Sequence, residues 1–246
     1  MILLADGLTQ TYPGTRAPAL SDFSLSVGEG EIVGLLGPNG AGKTTAISLM
    51  AGLLAPDSGS VRICGVDLFR CARKARQWIG LVPQHIALYP NLTAAENLAY
   101  LGRMYRLKGR VLKERIAVCL EMTGLSNNSR TRIAACSGGM KRRANLAAAL
   151  LHEPRMLFLD EPTTGIDPQS RNMILERLSG LSRSGTSMIY TTHYMEEAET
   201  LCSRVAIIDD GRIISRGSPE ELIAGHPGCG NLGDLFLHLT GKELRD

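Results

Sequence analysis

Gly37-Pro38-Asn39-Gly40-Ala41-Gly42-Lys43-Thr44 is the stretch of this sequence that decides the fold. It fits the pattern G-x-x-x-x-G-K-[ST] at every fixed position and follows Ile32–Leu36, an apolar run typical of a buried parallel strand. A helix is predicted directly after it, over residues 44–54. Glycines let successive backbone N–H groups point into one concavity, and the helix N-terminus adds a positive dipole end. The stretch therefore predicts a phosphate-binding loop.

The last two residues of this loop predict the kind of phosphate. Lys43 supplies a point charge for β- and γ-phosphates, and the hydroxyl of Thr44 is a ligand for Mg²⁺. The alternative is a glycine-rich turn that happens to precede Lys-Thr. The sequence contains no G-x-G-x-x-G pattern, which disfavours a dinucleotide-dependent oxidoreductase.

A second apolar run, Met156–Leu159, ends in the adjacent acids Asp160 and Glu161. A buried strand rarely stops on two carboxylates without a partner, because a desolvated charge is costly. A Mg²⁺–nucleotide is such a partner: Asp160 would hold the water shell of the metal, and Glu161 would polarise the attacking water. Two solvated acids in a turn are the alternative.

Around these two motifs, strands and helices alternate. The first 30 residues read as β, residues from about 91 to 151 read as helical, and Asp210-Gly211 between two short apolar runs predicts a hairpin. This pattern predicts an α/β fold with a mainly parallel sheet.

Composition restricts the function classes. The chain has 246 residues, 44% hydrophobic and 21% charged, and a net charge of +3, too small to argue for nucleic acid. No stretch reaches the roughly 18 apolar residues of a membrane span, so we expect a chain that is soluble on its own. The six cysteines form no C-x-x-C pair, which indicates reduced thiols.

One further segment connects the motifs. Cys136–Ala147 (CSGGMKRRANLA) resembles the signature segment of ATP-binding-cassette (ABC) ATPases, usually written LSGGQ. Other motifs of that family follow in its order: Gln84 matches the Q-loop, Gly165–Pro168 the D-loop, and His193 the switch histidine. Tyr12 is the best match for the aromatic residue that stacks on adenine.

The resemblance implies a fold and a division of the chain. It implies a P-loop core with a mainly parallel sheet, an N-terminal antiparallel β subdomain and an inserted α-helical subdomain at about 88–152. The ABC ATPase domain would span 1–225, followed by a C-terminal tail, 226–246, of unknown role.

The resemblance also implies ATP and Mg²⁺ as cofactors, with three sets of site residues. The catalytic set is Glu161, His193 and Gln84. The nucleotide-binding set is Tyr12, Gly37, Pro38, Asn39, Gly40, Ala41, Gly42, Lys43, Thr44, Thr45, Ser137, Gly138 and Gly139. The metal set is Thr44, Gln84 and Asp160.

Several of these residues have a plainer interpretation. Ser137 heads a helix and would serve as an N-cap, although in the family the same serine faces the γ-phosphate held by a partner. His193 would be a satisfied core histidine, Gln84 a loop amide and Tyr12 a packing residue.

Met140 replaces the usual Gln of the signature, and the Met-Lys-Arg-Arg form resembles the branch that serves exporters of drugs, antibiotics, lipids and polysaccharides. The resemblance implies a separate membrane permease, a second ABC ATPase subunit in a homodimer, and a peripheral position on the cytoplasmic side of the cell membrane. The stretch Gln84–Thr93, with Ile86, Leu88 and Leu92 together with Tyr89, would line the groove for the permease or belong to the helical core.

The alternative function is a soluble ABC ATPase outside transport, linked to translation or repair. The translation-linked kind normally carries two cassettes and the repair kind a long coiled coil, and this sequence has one P-loop and no room for a coiled coil between Gln84 and Ser137. A small P-loop kinase would lack the Ser-Gly-Gly segment. The basic runs Arg70–Arg76 and Lys141–Arg143 are typical of solvated helix faces, so no nucleic-acid partner is expected.

Overall fold

The structure is a computed structural model that describes residues 1–241. Its strands are β1 (Leu3–Gln10), β2 (Leu20–Val27), β3 (Ile32–Leu36), β4 (Ser58–Ile63), β5 (Val66–Asp67), β6 (Ile79–Val82), β7 (Met156–Asp160), β8 (Ser187–Thr192), β9 (Arg204–Asp209) and β10 (Arg212–Gly217). Its α-helices are α1 (Lys43–Met50), α2 (Ala72–Ala75), α3 (Ala94–Met104), α4 (Gly109–Met122), α5 (Gly138–Leu150), α6 (Pro168–Arg183), α7 (Met195–Leu201), α8 (Pro219–Ala224) and α9 (Leu232–Thr240).

The strands of the described chain form two sheets. The larger has the order β10-β9-β3-β8-β7-β6, and its strands from β9 to β6 run parallel. The smaller, β2-β1-β4-β5, is antiparallel throughout. The predicted α/β class with a mainly parallel sheet and an N-terminal antiparallel sheet is therefore confirmed.

The larger sheet is covered on both faces because successive side chains of a strand point in opposite directions. In β7, Leu157 and Leu159 join a core with α5 and α6, whereas Met156 and Phe158 join a second core that contains α1 and the smaller sheet. Every residue of β7 and β3 is buried, as their continuous apolar sequences predict.

The helix after the phosphate-binding loop is shorter than predicted. It ends at Met50 rather than at residue 54, because Gly52 adopts a left-handed conformation with φ of 72°. Two helices begin with a capping box: Thr93 with Glu96 opens α3, and Ser218 with Glu221 opens α8. The predicted hairpin at Asp210 is present between β9 and β10.

Part of the predicted tail 226–246 is structured. Helix α9 places Leu232, Leu235 and Phe236 in the core that contains α5 and α6. Residues 242–246 of that tail lie outside the described residues. Within residues 1–241, no helix is long and apolar enough to span a membrane.

Candidate functional site

The loop between β3 and α1 packs closely against the backbone of two neighbouring segments. A Cβ on Gly37 would lie 2.4 Å from the carbonyl oxygen of Ile208, and one on Gly42 would lie 2.6 Å from that of Ala19. Gly42 also has a φ of 106°. Only glycine fits such positions without displacing backbone. The two glycines at the fixed positions of the motif are therefore required by close packing here, in addition to the predicted role of shaping the phosphate-binding loop.

Lys43 is buried and turns back over this loop. Its Nζ donates hydrogen bonds to the carbonyl oxygens of Gly37, at 2.8 Å, and Pro38, at 3.1 Å. Burial lowers the pKa of the Lys43 ammonium, while the carboxylates of Glu161 and Asp160 act in the opposite direction. An anion in the loop would give this buried charge its missing partner.

Thr44 and Asp160 meet at the C-terminal ends of the parallel strands. The hydroxyl of Thr44 donates to Oδ2 of Asp160 at 3.1 Å, and Thr191 donates to Oδ1 at 2.8 Å. Hydroxyl and carboxylate oxygens are the ligands that Mg²⁺ prefers, and Mg²⁺ commonly takes only one or two of them from the protein. The donor set therefore fits Mg²⁺, although the described residues contain no cluster of three acidic, histidine or cysteine side chains.

Glu161 follows Asp160, the last residue of β7. Its backbone has a left-handed conformation, with φ of 48°, which is unusual for a residue other than glycine. Its Oε2 accepts hydrogen bonds from Nε2 of Gln84 and from the hydroxyl of Thr164, each at 3.2 Å. Nδ1 of His193 lies 3.5 Å from the same oxygen. The structure thus brings Gln84 and His193 onto the carboxylate of Glu161, so the three residues predicted to be catalytic lie together.

Lys43, Thr44, Gln84 and Glu161 line a cleft of about 370 Å³, whereas Asp160 and His193 are not among its lining residues. Tyr12 lies at its edge, with its hydroxyl 3.2 Å from that of Thr45 and its side chain 41% exposed. The lining residues are Tyr12, Ala19, Asn39, Gly40, Gly42, Lys43, Thr44, Thr45, Gln84 and Glu161. An exposed tyrosine at the mouth of a phosphate-binding cleft leaves its ring face available for stacking.

The Ser137 segment lies elsewhere. Ser137 caps α5, accepting a hydrogen bond from the backbone N–H of Met140 at 3.2 Å, and it is absent from the lining of the cleft. Gly139 packs against the start of α6, where an added Cβ would lie 2.4 Å from Oγ of Ser170. A Cβ added to Gly138 would meet only the carbonyl oxygen of Gly165, at 3.6 Å, which is an ordinary van der Waals contact.

The sequence reading missed the residues that hold the loop around Gln84. Asn145 accepts from the backbone N–H of Ala87 and donates to the carbonyl of Pro83, while Arg142 donates to the carbonyl of Gln84 itself. Both side chains come from α5, the helix that Ser137 caps. The available signal was the single polar residue, Asn145, inside the apolar run 144–151.

The sequence reading also missed Glu197, which is only 4% exposed. Glu197 follows Glu196 in the first turn of α7, where acidic side chains are typically exposed and interact favourably with the helix dipole. Its position next to Ala198 on the apolar face of that helix was the only sign of burial.

A phosphate-binding loop, a strand ending in Asp-Glu and a parallel sheet define the class of P-loop nucleoside triphosphatases. Within that class, the family model described as "ABC transporter" matches residues 20–164. The chain belongs to that family.

Curated relatives and solved structures agree with this assignment. The chain is 47% identical over 246 residues to the linearmycin resistance ATP-binding protein of Bacillus subtilis (strain 168), covering all of this chain and 76% of that one. It is 47% identical over 207 residues to a Nod factor export ATP-binding protein I of Paraburkholderia xenovorans (strain LB400), covering 84% and 68%.

Among solved structures, an ATP-binding subunit of an ABC transporter matches with a TM-score of 0.88 and 29% identity, over 98% of this chain and 100% of that one. A dimeric ATP-binding cassette in a post-hydrolysis state, bound to ADP and Pi, matches with a TM-score of 0.81 and 28% identity, over 88% and 98%. The predicted family, fold class and ATPase activity are confirmed, with ATP as the nucleotide.

Proposed function

We propose that this chain is the ATP-hydrolysing subunit of an exporter, working as a homodimer beneath a separately encoded membrane permease on the cytoplasmic side of the cell membrane. The convergence of Gln84, Thr164 and His193 on Oε2 of Glu161, beside the phosphate-binding loop, carries the proposal for hydrolysis. Export is supported by the names of the relatives, which concern linearmycin resistance and Nod factor export.

The residues in and beside the cleft have different roles in this proposal. The loop backbone and Lys43 bind the phosphates, and Tyr12 stacks on the base. Thr44 and Asp160, with Gln84, would hold Mg²⁺, which when bound neutralises charge on the phosphate oxygens. Glu161 accepts a proton from the attacking water, and its hydrogen bonds with Gln84 and Thr164 fix the carboxylate before the nucleotide enters. His193 donates toward the γ-phosphate.

The Ser137 segment completes the cleft of the second subunit. The exposure of Gly138 and the position of Ser137 outside its own cleft support this arrangement. Backbone N–H groups at the start of α5, with the helix dipole, are suited to an anion presented by another chain. ATP would then join two subunits, and hydrolysis would remove that link.

We place the permease contact in a groove of about 430 Å³ next to the Gln84 loop. Its lining includes Leu53, 69% exposed, and Leu101, Tyr105 and Ala87. The four residues expected at the permease groove or in the helical core do not line this cavity: Leu88 is buried in the core, whereas Tyr89 is half exposed and packs edge-on against Tyr100. Leu88 therefore follows the core alternative that the sequence left open, whereas a permease contact of the other three residues stays a prediction.

The chain is divided in the proposal as the resemblance implies. Residues 1–225 form the ATPase domain, with the helical subdomain inserted at about 88–152. The described part of the segment from 226 onward adds helix α9 to the core of that domain.

Co-expression with candidate permeases, chosen as membrane proteins encoded by adjacent reading frames, tests the transport role. We expect one of them to copurify with this chain, and we expect Leu53→Arg to weaken copurification while ATP hydrolysis by the isolated subunit continues. Leu237→Arg is the matched control, because Leu237 is also exposed but lies on α9. ATP hydrolysis with no recruitment to any permease would instead favour the soluble, non-transport ATPase.

A further inference from the structure

Glu197 is a buried carboxylate that the proposed hydrolysis does not use. It lies in the first turn of α7, and its Oε2 accepts hydrogen bonds from three hydroxyl groups. These come from Tyr190 at 2.7 Å, Thr192 at 2.8 Å and Thr163 at 3.0 Å. Burial, followed by the charge of Glu197, raises the pKa of Tyr190 well above its usual range, so the phenol remains a donor.

The other oxygen of Glu197 faces a cation from a different helix. Nε of Arg171, in the first turns of α6, lies 3.3 Å from Oε1, but its N–H is not aligned for a hydrogen bond. The contact is therefore an ion pair. The guanidinium of Arg171 also lies 4.2 Å from the ring centre of Tyr194, within the range of a cation–π contact.

This network encloses the turn that carries His193. Thr192, which donates to Glu197, also accepts a hydrogen bond from the backbone N–H of Tyr194 at 2.9 Å. The ring of Tyr194, held by Arg171, lies 4.2 Å from the ring of His193. The residues on both sides of His193 are thus tied, directly or through Arg171, to the Glu197 carboxylate.

The same carboxylate reaches the segment after Glu161. Thr163 donates to Glu197, and the next residue, Thr164, donates to Oε2 of Glu161. Two segments that come from different strands, after β7 and after β8, therefore meet on one buried charge. The Glu197 carboxylate therefore connects the segment that carries His193 to the segment that follows Glu161.

We propose that Glu197 is the positioning residue that holds His193 against Glu161. The inference rests on the proposed roles of those two residues for its effect on hydrolysis, but the geometry it claims is independent of them. Displacing a catalytic group by about 1 Å costs on the order of 100-fold in rate. A residue that fixes such a group without touching the nucleotide lowers kcat when it is changed, and leaves KM for ATP in place.

Glu197→Gln is the informative change because it keeps the volume and removes the charge. If the new side-chain amide at position 197 points its oxygen toward the three hydroxyl groups, its –NH₂ group faces the guanidinium of Arg171. Both groups are then hydrogen-bond donors, and neither can accept from the other. With the amide reversed, the hydroxyl groups lose their common acceptor. Either arrangement loosens the His193 turn. Glu196→Gln is the matched control, since Glu196 is the exposed neighbour in the same helical turn.

The experiment compares wild type, Glu197→Gln and Glu196→Gln by NMR of the histidine imidazoles and by steady-state hydrolysis of MgATP. The His193 signal is assigned by its loss in His193→Asn, and the partly buried His152, which contacts Ile79 and Tyr105 rather than this network, serves as internal reference. We expect Glu197→Gln to shift the His193 signal, leave His152 in place and lower kcat about 10- to 100-fold at constant KM. Glu196→Gln should match wild type.

An unmoved His193 signal overturns the inference, and so does a His152 signal that moves with it, because that would mean general loosening of the fold. A shifted His193 signal with unchanged kcat leaves the positioning role standing and contradicts the proposed role of His193 in hydrolysis. Thr192→Val, which removes one hydroxyl of the network at constant volume, gives the same test if Glu197→Gln does not fold.

Discussion

Nδ1 of His193 lies 3.5 Å from Oε2 of Glu161, the oxygen that also accepts hydrogen bonds from Gln84 and Thr164. Three groups from three segments of the chain thus converge on one atom. Glu161 itself is held in a left-handed conformation that costs about 1–3 kcal/mol and that the surrounding contacts must maintain. This relationship joins the strand that ends in Asp-Glu to the loop of Gln84 and the turn of His193.

Replacing Lys43 by Met should affect thermal stability and ATP binding in different ways. Burial lowers the pKa of Lys43, so at neutral pH the folded, ATP-free protein holds this charge less favourably than the unfolded chain does. We therefore expect Lys43→Met to keep or raise the Tm without ATP, and to abolish the increase in Tm that ATP causes. Thermal unfolding at pH 7.5, with and without MgATP, measures both.

Lys113→Met is the control for this pair of measurements, since Lys113 is exposed on α4. It should leave the response to ATP intact. A Lys43→Met protein that still gains the wild-type increase in Tm would contradict the role assigned to the loop.

The two glycines after Ser137 should fail in different ways. A Cβ at position 139 would lie 2.9 Å from Cβ of Ser170. Gly139→Ala should therefore decrease the free energy of unfolding of the monomer by about 1–3 kcal/mol, and its Tm should fall accordingly. A Cβ at position 138 meets nothing closer than 3.6 Å, so Gly138→Ala should keep the Tm and lose only ATP-dependent dimerisation. Thermal unfolding and gel filtration with ATP distinguish these outcomes. Normal dimerisation of Gly138→Ala would argue against a partner at this position.

His152 should make the protein sensitive to acid. Burial lowers the pKa of His152 from 6.5, and its Nε2 lies 2.8 Å from the carbonyl oxygen of Ile79, to which the neutral ring donates. As the pH falls below 6.5, His152 binds a proton in the unfolded chain but more weakly in the folded protein. The free energy of unfolding therefore decreases. We expect His152→Asn to have a lower Tm at pH 7.5 but a shallower decline from there to pH 5.

The exposed His85 provides the comparison, and His85→Asn should keep the wild-type slope. The lower starting Tm of His152→Asn follows from its lost stack with Tyr105, whose ring centre lies 3.7 Å away. Equal slopes for all three proteins would mean that other groups cause the acid sensitivity.

Features set by neighbouring residues were predictable from the sequence. The phosphate-binding loop, the buried strand β7, the hairpin at Asp210 and the capping box at Thr93 each depend on fewer than ten consecutive residues. Their physics is local: a backbone conformation that glycine permits, a cap that one side chain supplies, or a run of apolar side chains.

Features that depend on distant partners were not predictable in the same way. Asn145 reads as one polar residue in an apolar helix, and only the fold brings it to the Gln84 loop. Glu197 reads as a surface acid until Arg171 and three hydroxyl groups surround it. Periodicity identifies the buried face of a helix but not the groups that it will meet there.

Glu161 is the base that activates water in the proposed hydrolysis, and a single isosteric change tests this role. Glu161→Gln keeps the shape of the side chain and its contacts with Gln84 and Thr164 largely in place, but an amide cannot accept the proton. We expect this variant to bind ATP, to hydrolyse it at least 100-fold more slowly, and to accumulate as an ATP-bound dimer in gel filtration. Hydrolysis by Glu161→Gln at the wild-type rate would contradict the account.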